Sequence, residues 1–482
     1  MIQAWSVAEV YAAERALMAT LPEGELMDRA VRGLAAVAEA RLRDRDGQRV
    51  VALVGPGNNG ADALYAVARL ATRGVWAAAL HTETVHPGAF AAARAAGVHL
   101  GVGTEVLAEA DLVLDGVVGI GGRVGVPDVA RGWVDAMPDT AYVLAVDLPS
   151  GQDPAGRVLD PVGVFADETV TFSVLKPVHL LPATEVACGL ITVVDIGLSV
   201  SAPAAVRRLT RDDLAWMWPV PGPRDDKYSR GVLGVVAGSQ SYPGAAALTV
   251  TAALEAGVGM VRYVGPAAPT ALVRSAAPEA VTVPGRVQAW VVGPGLDAES
   301  TDPADQAQVA AAREALASDL PVVVDAGALD LLQPPRAFPT LLTPHAGECA
   351  RLLTRLRSGS EPGVSRAEVE SDPLGAAREL ADRTHADVLL KGSTTLVLSA
   401  DPDLAVTSQA DAPPWLATAG AGDVLAGLIG ALLASGLPPT QAGALGAMVH
   451  GVAAERANPG GPVRALAVAH AIPQTVAALL RR

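Results

Sequence analysis

The sequence is poor in cysteine, in aromatic residues and in positive charge, and it has no long apolar run. Each shortage excludes something. Cys188 and Cys349, the two cysteines among 482 residues, lie far apart and lack metal-ligand spacing. They read as inert, half-buried thiols of a reducing compartment rather than as a disulfide scaffold or a thiolate metal centre. Aromatics at 4% argue against an aromatic-rich β-sandwich, whereas abundant Ala, Val, Leu and Gly suit α/β layers packed from small aliphatic side chains. A formal charge of −15 gives no general attraction to phosphate backbones or anionic lipid, and no local basic stripe restores one. Neither nucleic acid nor a membrane is an expected partner. No apolar stretch approaches the roughly 18 residues of a membrane span, and Glu9, Glu14 and Arg15 interrupt what would be the core of an export signal. A cytoplasmic protein is expected.

What is present is a well-cored chain, half hydrophobic and 18% charged, long enough for two domains or possibly three. Met1 to about Arg43 reads as helical, broken only around Pro22-Glu23-Gly24. Arg49 to Val54 is then a β-branched run ending in Gly-Pro-Gly, and Ala63 to Arg73 is helical again. Strand, glycine loop, helix opens a doubly wound α/β domain. Further strands are expected at Trp76–Leu80, Leu112–Leu114 and Tyr142–Val146, giving a mostly parallel sheet covered on both faces. Arg211 to Arg230, with Pro219, Pro221, Gly222, Pro223 and a run of charges, cannot be one regular element. The domain boundary is placed just before it, dividing the chain into residues 1–210 and 211–482. A second α/β series has strands at Gly231–Ala237, Met260–Val264, Ala289–Val292, Val322–Val324 and Val388–Leu390. Its helices are read at Ala245–Ala256, Asp372–Arg383, Ala421–Ser435 and Thr440–Ala457.

In the second half, Gly420-Ala421-Gly422-Asp423 precedes a strongly apolar helix. Glycines let backbone N–H groups approach a ligand, and at a helix N-terminus those groups favour an anion such as a phosphate oxygen. Asp423 in the first turn can be a cap, a base, or both. Four other strand ends carry Gly, His, Lys or Asp: Lys391-Gly392-Ser393-Thr394-Thr395, Thr343-Pro344-His345-Ala346-Gly347-Glu348, Gly293-Pro294-Gly295 and Asp325-Ala326. Each alone is a weak signal, and His345 alone reads better as a helix cap. Together, at the edge where α/β sheets bind ligands, they predict one site.

With Lys227-Tyr228-Ser229-Arg230-Gly231, Gly238-Ser239 and Pro243-Gly244-Ala245 added, the ordered series resembles the nucleotide-dependent NAD(P)H-hydrate dehydratases of the ribokinase-like superfamily, across nearly all of residues 211–482. The resemblance implies removal of water from hydrated NADH and NADPH at the expense of ADP or ATP, with ADP favoured because bacterial-type members are most similar. Hydroxide is a poor leaving group, and phosphorylating it makes a good one. By motif, Asp423 would be the catalytic base that activates the ring hydroxyl and touches the substrate. Gly422 and Lys391, Gly392, Ser393, Thr394 and Thr395 would bind the nucleotide, while Ala245, Gly295 and His345 would contact the hydrated dinucleotide. Mg²⁺ would accompany the nucleotide, without a dedicated carboxylate cage.

In the first half, Gly55-Pro56-Gly57-Asn58-Asn59-Gly60-Ala61-Asp62 lies between strand and helix but lacks G-x-G-x-x-G spacing. Its two Asn side chains could hold a ribose, a phosphate or an alkali cation; as a bland polar turn it would use Asp62 as a cap. Asp115 runs into Gly116 and the loop Gly119-Ile120-Gly121-Gly122, and Asp147 and Ser150 follow another strand. The three segments resemble the NAD(P)H-hydrate epimerases, over about residues 1–210, a family often fused ahead of the dehydratase. That implies interconversion of the two hydrate epimers of NADHX and NADPHX. Asn59, Asp115 and Ser150 would hold K⁺. Asn58, Asn59, Gly60, Ala61 and Asp62, with Gly119, Ile120, Gly121, Gly122, Arg123, Val124 and Gly125, would line the substrate. Asp147 would be a substrate contact and candidate acid/base, and Lys176 matches family usage without a fixed role. The family loop reads Asn-Asn-Gly-Gly-Asp-Gly, and Ala61 and Ala63 replace two of its glycines. Were either position to need φ > 0, Ala would cost of order 1 kcal/mol.

The expected architecture is therefore two doubly wound domains, an N-terminal Rossmann-like and a C-terminal ribokinase-like three-layer sandwich, in a homo-oligomer. Two rival readings are a ribokinase-like kinase of a vitamin precursor, which leaves the N-terminal domain unexplained, and a catalytically dead nucleotide-binding or scaffolding protein.

Overall fold

The computed structural model describes residues 1–359 and 361–481. The chain forms two compact units, Gln3–Val206 and Arg207–Arg482, the second also taking in Met1–Ile2.

In the unit Gln3–Val206 seven strands make one wholly parallel sheet. Their spatial order is His99–Leu100, Trp76–His81, Arg49–Val54, Leu112–Gly116, Tyr142–Val146, Glu168–Phe172 and Leu190–Val194. Alternate residues serve opposite faces, as the pleat requires. Val50, Ala52, Val54, Leu112 and Leu114 pack among side chains of helices Glu25–Asp44, Asn58–Ala71 and Pro87–Ala95. Val51, Leu53 and Val113 pack instead with Leu107 and Ala130, from the 3₁₀ turn Thr104–Glu109 and helix Asp128–Asp135. The chain runs outward from Arg49–Val54 on one side and returns at Leu112–Gly116 on the other. The strand order therefore reverses between these two, and a crevice opens there beyond their C-terminal ends.

The other unit carries a ten-stranded mixed sheet. From its outer strand the order is Met260–Val264, Val232–Val236, Ala289–Val292, Val322–Val324, Thr340–Leu342, Asp387–Leu390, Thr395–Leu398, Val406–Gln409, Val206–Arg208 and Ile2–Ala4. The first six are parallel; the next two add an antiparallel hairpin. Leu233, Val235, Val291, Val323, Leu341 and Leu389 pack with helices Pro243–Glu255, Ala421–Ala434, Pro439–Ala457 and Ala465–Leu480. Val232, Val236, Val292, Val322, Val324 and Leu342 alternate with them and are equally buried, so the opposite face is covered too. Helix Pro303–Ala317 packs on strands Ala289–Val292 and Val232–Val236, and Pro373–Thr384 on Asp387–Leu390. Here the order reverses between Val232–Val236 and Ala289–Val292.

Two local expectations change. The chain start is not continuously helical: Ile2–Ala4 is a strand, followed by helices Val7–Met18 and Glu25–Asp44 with the break at Pro22-Glu23-Gly24 between them. The segment Asn58–Asp62 is not a loop either but the first turn of helix Asn58–Ala71, entered through Gly57 without a side-chain cap. Among the described residues no helix is long and apolar enough to cross a membrane.

Candidate active sites

In the second unit the strand ends named from the sequence meet at one edge. Gly293 has φ +119° and no room for a side chain, since a Cβ there would stand 1.9 Å from Asp325 O. Gly295, at φ +63°, would bring a Cβ within 2.5 Å of the Ala245 methyl. Ala245 and Gly295 are therefore in direct contact, at the start of helix Pro243–Glu255. His345 is an N-cap: its Nδ1 accepts from Gly347 and Glu348 N–H at 3.1 and 3.3 Å, and Glu348 Oε2 accepts from His345 N–H at 2.9 Å. The bland role is thus real, while its imidazole stays more than half exposed and free to meet a ligand. The His345 backbone also bridges Lys391, whose N–H donates to Pro344 O at 2.8 Å.

Lys391 is the centre of the electrostatics. Its Nζ donates to Asp325 Oδ1 at 2.8 Å and lies 3.7 Å from Glu348 Oε2; Thr343 Oγ1 donates to the same Asp325 oxygen at 2.8 Å. Burial alone would lower the ammonium's pKa, but Asp325 and Glu348 outweigh it and the net shift is upward. Gly392, Ser393 and Thr394 form the hairpin turn, and Thr395 begins the next strand.

Helix Ala421–Ala434 starts beside Lys391, with Gly420 as N-cap at φ +87° and no side chain to satisfy the first N–H groups. A Cβ on Gly422 would sit 3.4 Å from Lys391 Nζ, so this backbone and the ammonium face the same spot. Uncapped N–H groups at a helix start, beside a lysine, suit a phosphate. Asp423, in that turn, is raised to about 7 by burial first, then by Asp325 and Glu348, against the pull of Lys391. A carboxylate poised near neutrality suits a general base. Among the described residues no three His, Cys, Asp or Glu side chains are placed to hold a metal ion: Asp325 and Glu348 are turned to the lysine. Mg²⁺ would have to arrive on nucleotide phosphates and keep water ligands.

In the first unit, Asn58, Asn59, Asp62, Gly119, Ile120, Gly121, Gly122 and Asp147 line one cavity of about 1160 Å³ over the switch point. Gly60 and Ala61 lie behind that wall: a Cβ on Gly60 would come 2.1 Å from Gly55 O, and Ala61 is buried. Arg123, Val124 and Gly125 are not among the lining residues; Arg123 and Val124 are exposed and Gly125 bonds to Gly151 O at 2.9 Å. Neither Ala61 nor Ala63 is at positive φ. Both are interior helix residues, where alanine is the most favourable residue, so the two substitutions carry no backbone penalty.

Asp115 is wholly buried. Ser150 Oγ donates to its Oδ1 at 2.6 Å and Ser150 N–H to its Oδ2 at 2.7 Å, yet burial still lifts it to about 6. Asn59 lies against Gly116 and Gly119 and donates to Val146 O. Among the described residues no basic side chain acts on Asp115. A buried carboxylate with oxygen neighbours and no cation of its own fits K⁺, and Asn59, Asp115 and Ser150 could hold it.

Asp147 has φ +69°, the left-handed strain that clusters at functional sites. Its carboxylate accepts from Lys176 Nζ and from Thr171 Oγ1, the latter at 2.9 Å. His179 holds its main chain: Nδ1 accepts from Lys176 N–H at 3.1 Å, leaving Nε2 to donate to Asp147 O at 2.9 Å. Burial, aided by Lys176, keeps that ring neutral, with its pKa lowered to about 4. Lys176, left without a role by sequence, is thus the counter-ion of Asp147. Glu14 and Tyr11, from helix Val7–Met18, also line the cavity. In the sequence Tyr11 carries no mark, and Glu14 stands out only as a charge interrupting an apolar stretch.

Comparison with known proteins bears on both units. The family described as NAD(P)H-hydrate dehydratase matches residues 233–473, and that described as YjeF-related protein N-terminus matches residues 23–178. The bifunctional NAD(P)H-hydrate repair enzyme Nnr of Mycobacterium leprae (strain TN) is 45% identical over 477 residues, covering 95% of this chain and 94% of its own. The same-named protein of Mycobacterium tuberculosis (strain CDC 1551 / Oshkosh) is 46% identical over 458 residues, 91% of each chain. A ribokinase-like superfamily protein from Enterococcus faecalis V583, 19% identical, covers 59% of this chain and 100% of its own with a TM-score of 0.50, a likeness of fold.

Proposed function

The chain belongs to the bifunctional NAD(P)H-hydrate repair enzymes, dehydratase and epimerase in one polypeptide, and from that premise we propose how its residues divide the work. Residues 211–482 perform the dehydration. The nucleotide, ADP or ATP, lies with its terminal phosphate against the N–H groups at Gly422 and beside Lys391, and the turn Gly392, Ser393, Thr394 and Thr395 holds its remainder. Mg²⁺ would be held by the phosphates themselves and would neutralise charge there. Ala245, Gly295 and His345 hold the hydrated dinucleotide so that its ring hydroxyl meets Asp423. Asp423 takes the hydroxyl proton, and the oxygen bonds to the terminal phosphorus, displacing the rest of the nucleotide. Loss of the phosphate, with the C–O bonding pair, and of a ring proton then restores NADH or NADPH. Lys391 offsets charge on the phosphate, and Asp325 holds Lys391 in place.

Residues 1–210 perform the epimerisation. Asn58, Asn59 and Gly119 to Gly122 hold the ring and its phosphates, Asp147 acts as acid or base, and Asn59, Asp115 and Ser150 would hold K⁺. The observation that carries the reading is Asp423, poised near neutrality at an uncapped helix start beside Lys391. Its test is incubation with hydrated NADH and ADP. The NADH absorbance returns with the wild-type chain and not with Asp423→Asn. Phosphorylation of an unrelated alcohol, with no return of absorbance, would make the protein a kinase instead.

A further inference from the structure

We propose that Asp62 is a proton donor in the epimerisation, acting with Asp147 on the ring hydroxyl of the hydrate. This deepens, and rests on, the reading of the first unit as an epimerase. Asp62 sits on helix Asn58–Ala71, which follows strand Arg49–Val54; Asp147 follows strand Tyr142–Val146. In the sheet, Leu112–Gly116 lies between those strands, so the two carboxyl groups reach one cavity from either side of its central strand.

Their surroundings differ in kind. Asp147 is furnished as a carboxylate, with the Lys176 ammonium and the Thr171 hydroxyl both donating to it. Asp62 is 6% exposed, and its Oδ1 has no hydrogen-bond partner among the described residues. Two acidic groups act on it, Glu14 from helix Val7–Met18 and Asp147; Tyr11, from the same helix, lines the same cavity beside Glu14 and Asp147. The nearby cations are engaged elsewhere, Lys176 by Asp147 and Arg69 by Asp28. His86, on the cavity wall, accepts from Ala89 N–H. Burial, then Asp147 and Glu14, raise Asp62 well above the usual carboxylate range. A buried carboxyl left unpaired takes up a proton rather than remain charged. Two carboxyl groups in one cavity, one paired with an ammonium and a hydroxyl and the other buried without a partner among the described residues, make an acid–base pair.

The chemistry needs both. Hydration of an enamine double bond leaves the hydroxyl on the carbon next to the ring nitrogen. Asp62 gives its proton to that hydroxyl; the C–O bond breaks, its electron pair leaving with water, and the nitrogen lone pair forms C=N. Water then adds to the other face, its oxygen bonding to carbon while the C=N pair returns to nitrogen, and Asp147 takes the proton released. One hydroxyl has left and one has entered with inverted configuration. Asp62 ends as a carboxylate and Asp147 protonated, and proton exchange with solvent resets them.

The test is a chirally resolved epimerisation assay on the full-length chain in K⁺, across pH, with the uncatalysed rate subtracted. Wild type, Asp62→Asn and Asp62→Glu are compared, and a urea melt of each full-length variant, followed for the transition of the unit Gln3–Val206, reports folding. In the wild type, kcat falls as pH rises through the Asp62 pKa. Asp62→Asn is expected to lose about 10²–10⁴-fold in kcat with KM nearly unchanged and the alkaline fall abolished, and Asp62→Glu to restore part of both. A raised KM with kcat intact in Asp62→Asn, or an unmoved alkaline fall, would make Asp62 a binding residue and overturn the proposal. If folded wild type shows no interconversion, the epimerase reading fails and the proposal with it.

Discussion

Lys391 Nζ donates to Asp325 Oδ1 at 2.8 Å, joining the ends of two strands that have Thr340–Leu342 between them in the sheet. That bridge places a positive charge in front of the helix start bearing Asp423 while keeping a second carboxylate close by. The two act oppositely on Asp423: Asp325 raises it and Lys391 lowers it. The first prediction follows from this opposition. A base works only when ionised, so dehydration should fall as pH drops through about 7. In Asp325→Asn one raising charge is gone and the lysine loses its nearest partner, so the acid limb of kcat should move to lower pH while the maximum declines. A pH–rate profile of the two proteins checks this; an acid limb at the same pH in both would contradict it.

Gly420 and Gly422 should respond differently to alanine. Gly420 is at φ +87°, and a Cβ there would meet Leu248 Cδ1 at 2.6 Å. Gly420→Ala should cost about 1–2 kcal/mol from backbone strain alone and raise the nucleotide KM by displacing the first N–H groups of the helix. At Gly422 the backbone is not strained, and the new methyl would meet only Lys391 Nζ, at 3.4 Å. Gly422→Ala should leave the unfolding midpoint nearly unchanged and weaken nucleotide binding. Denaturant melts beside nucleotide titrations separate the cases.

The Lys176–Asp147 pair is almost entirely removed from solvent. Breaking a buried pair from one side strands the other charge, at about 3–5 kcal/mol. Lys176→Met should therefore destabilise the unit Gln3–Val206 by that order. Adding Asp147→Asn should recover part of the loss, since the stranded carboxylate goes with it. A double-mutant cycle in urea measures the coupling; additive losses would show that the two charges do not depend on each other. Epimerisation should be lost in all three variants.

Cation dependence should divide the activities. With K⁺ replaced by tetramethylammonium, epimerisation should fall while nucleotide-dependent dehydration is retained, because the buried Asp115 carboxylate belongs to the first site alone. Asp115→Asn should abolish the response to K⁺. Parallel assays of both reactions on one preparation decide, and equal losses in both would relocate the cation.

Much of both sites was legible because parallel strands buried on both faces read as short apolar runs, and what ends such a run faces the ligand edge. Gly293-Pro294-Gly295, Asp325, Thr343-Pro344-His345 and Lys391 all announce themselves in this way. Less legible was whatever depends on pairing across the fold. Strand Glu168–Phe172 begins with a charge, and is buried because Arg41 reaches Glu168 at 2.6 Å. Helix Val7–Met18 reads as any amphipathic helix, with no sign that Glu14 and Tyr11 face a cavity. His450 is buried, its Nε2 without a partner among the described residues, and its pKa is lowered to about 4 by burial and then Lys391; no strand end points to it. The glycine loop misled in the opposite direction. Asn58 to Asp62 is helical, so Ala61 and Ala63 fit where a loop at positive φ would have rejected them.

The central claim is that Asp423 activates the ring hydroxyl as a nucleophile toward phosphorus, so that the hydroxyl oxygen leaves with the phosphate. The most direct measurement uses NADH hydrate carrying ¹⁸O in that hydroxyl, turned over with ADP, with mass analysis of the inorganic phosphate released. Label in the phosphate, at one atom per NADH formed, is the predicted result. Label appearing in water instead, with unlabelled phosphate, would mean that the C–O bond breaks without phosphorylation and would contradict the role given to Asp423.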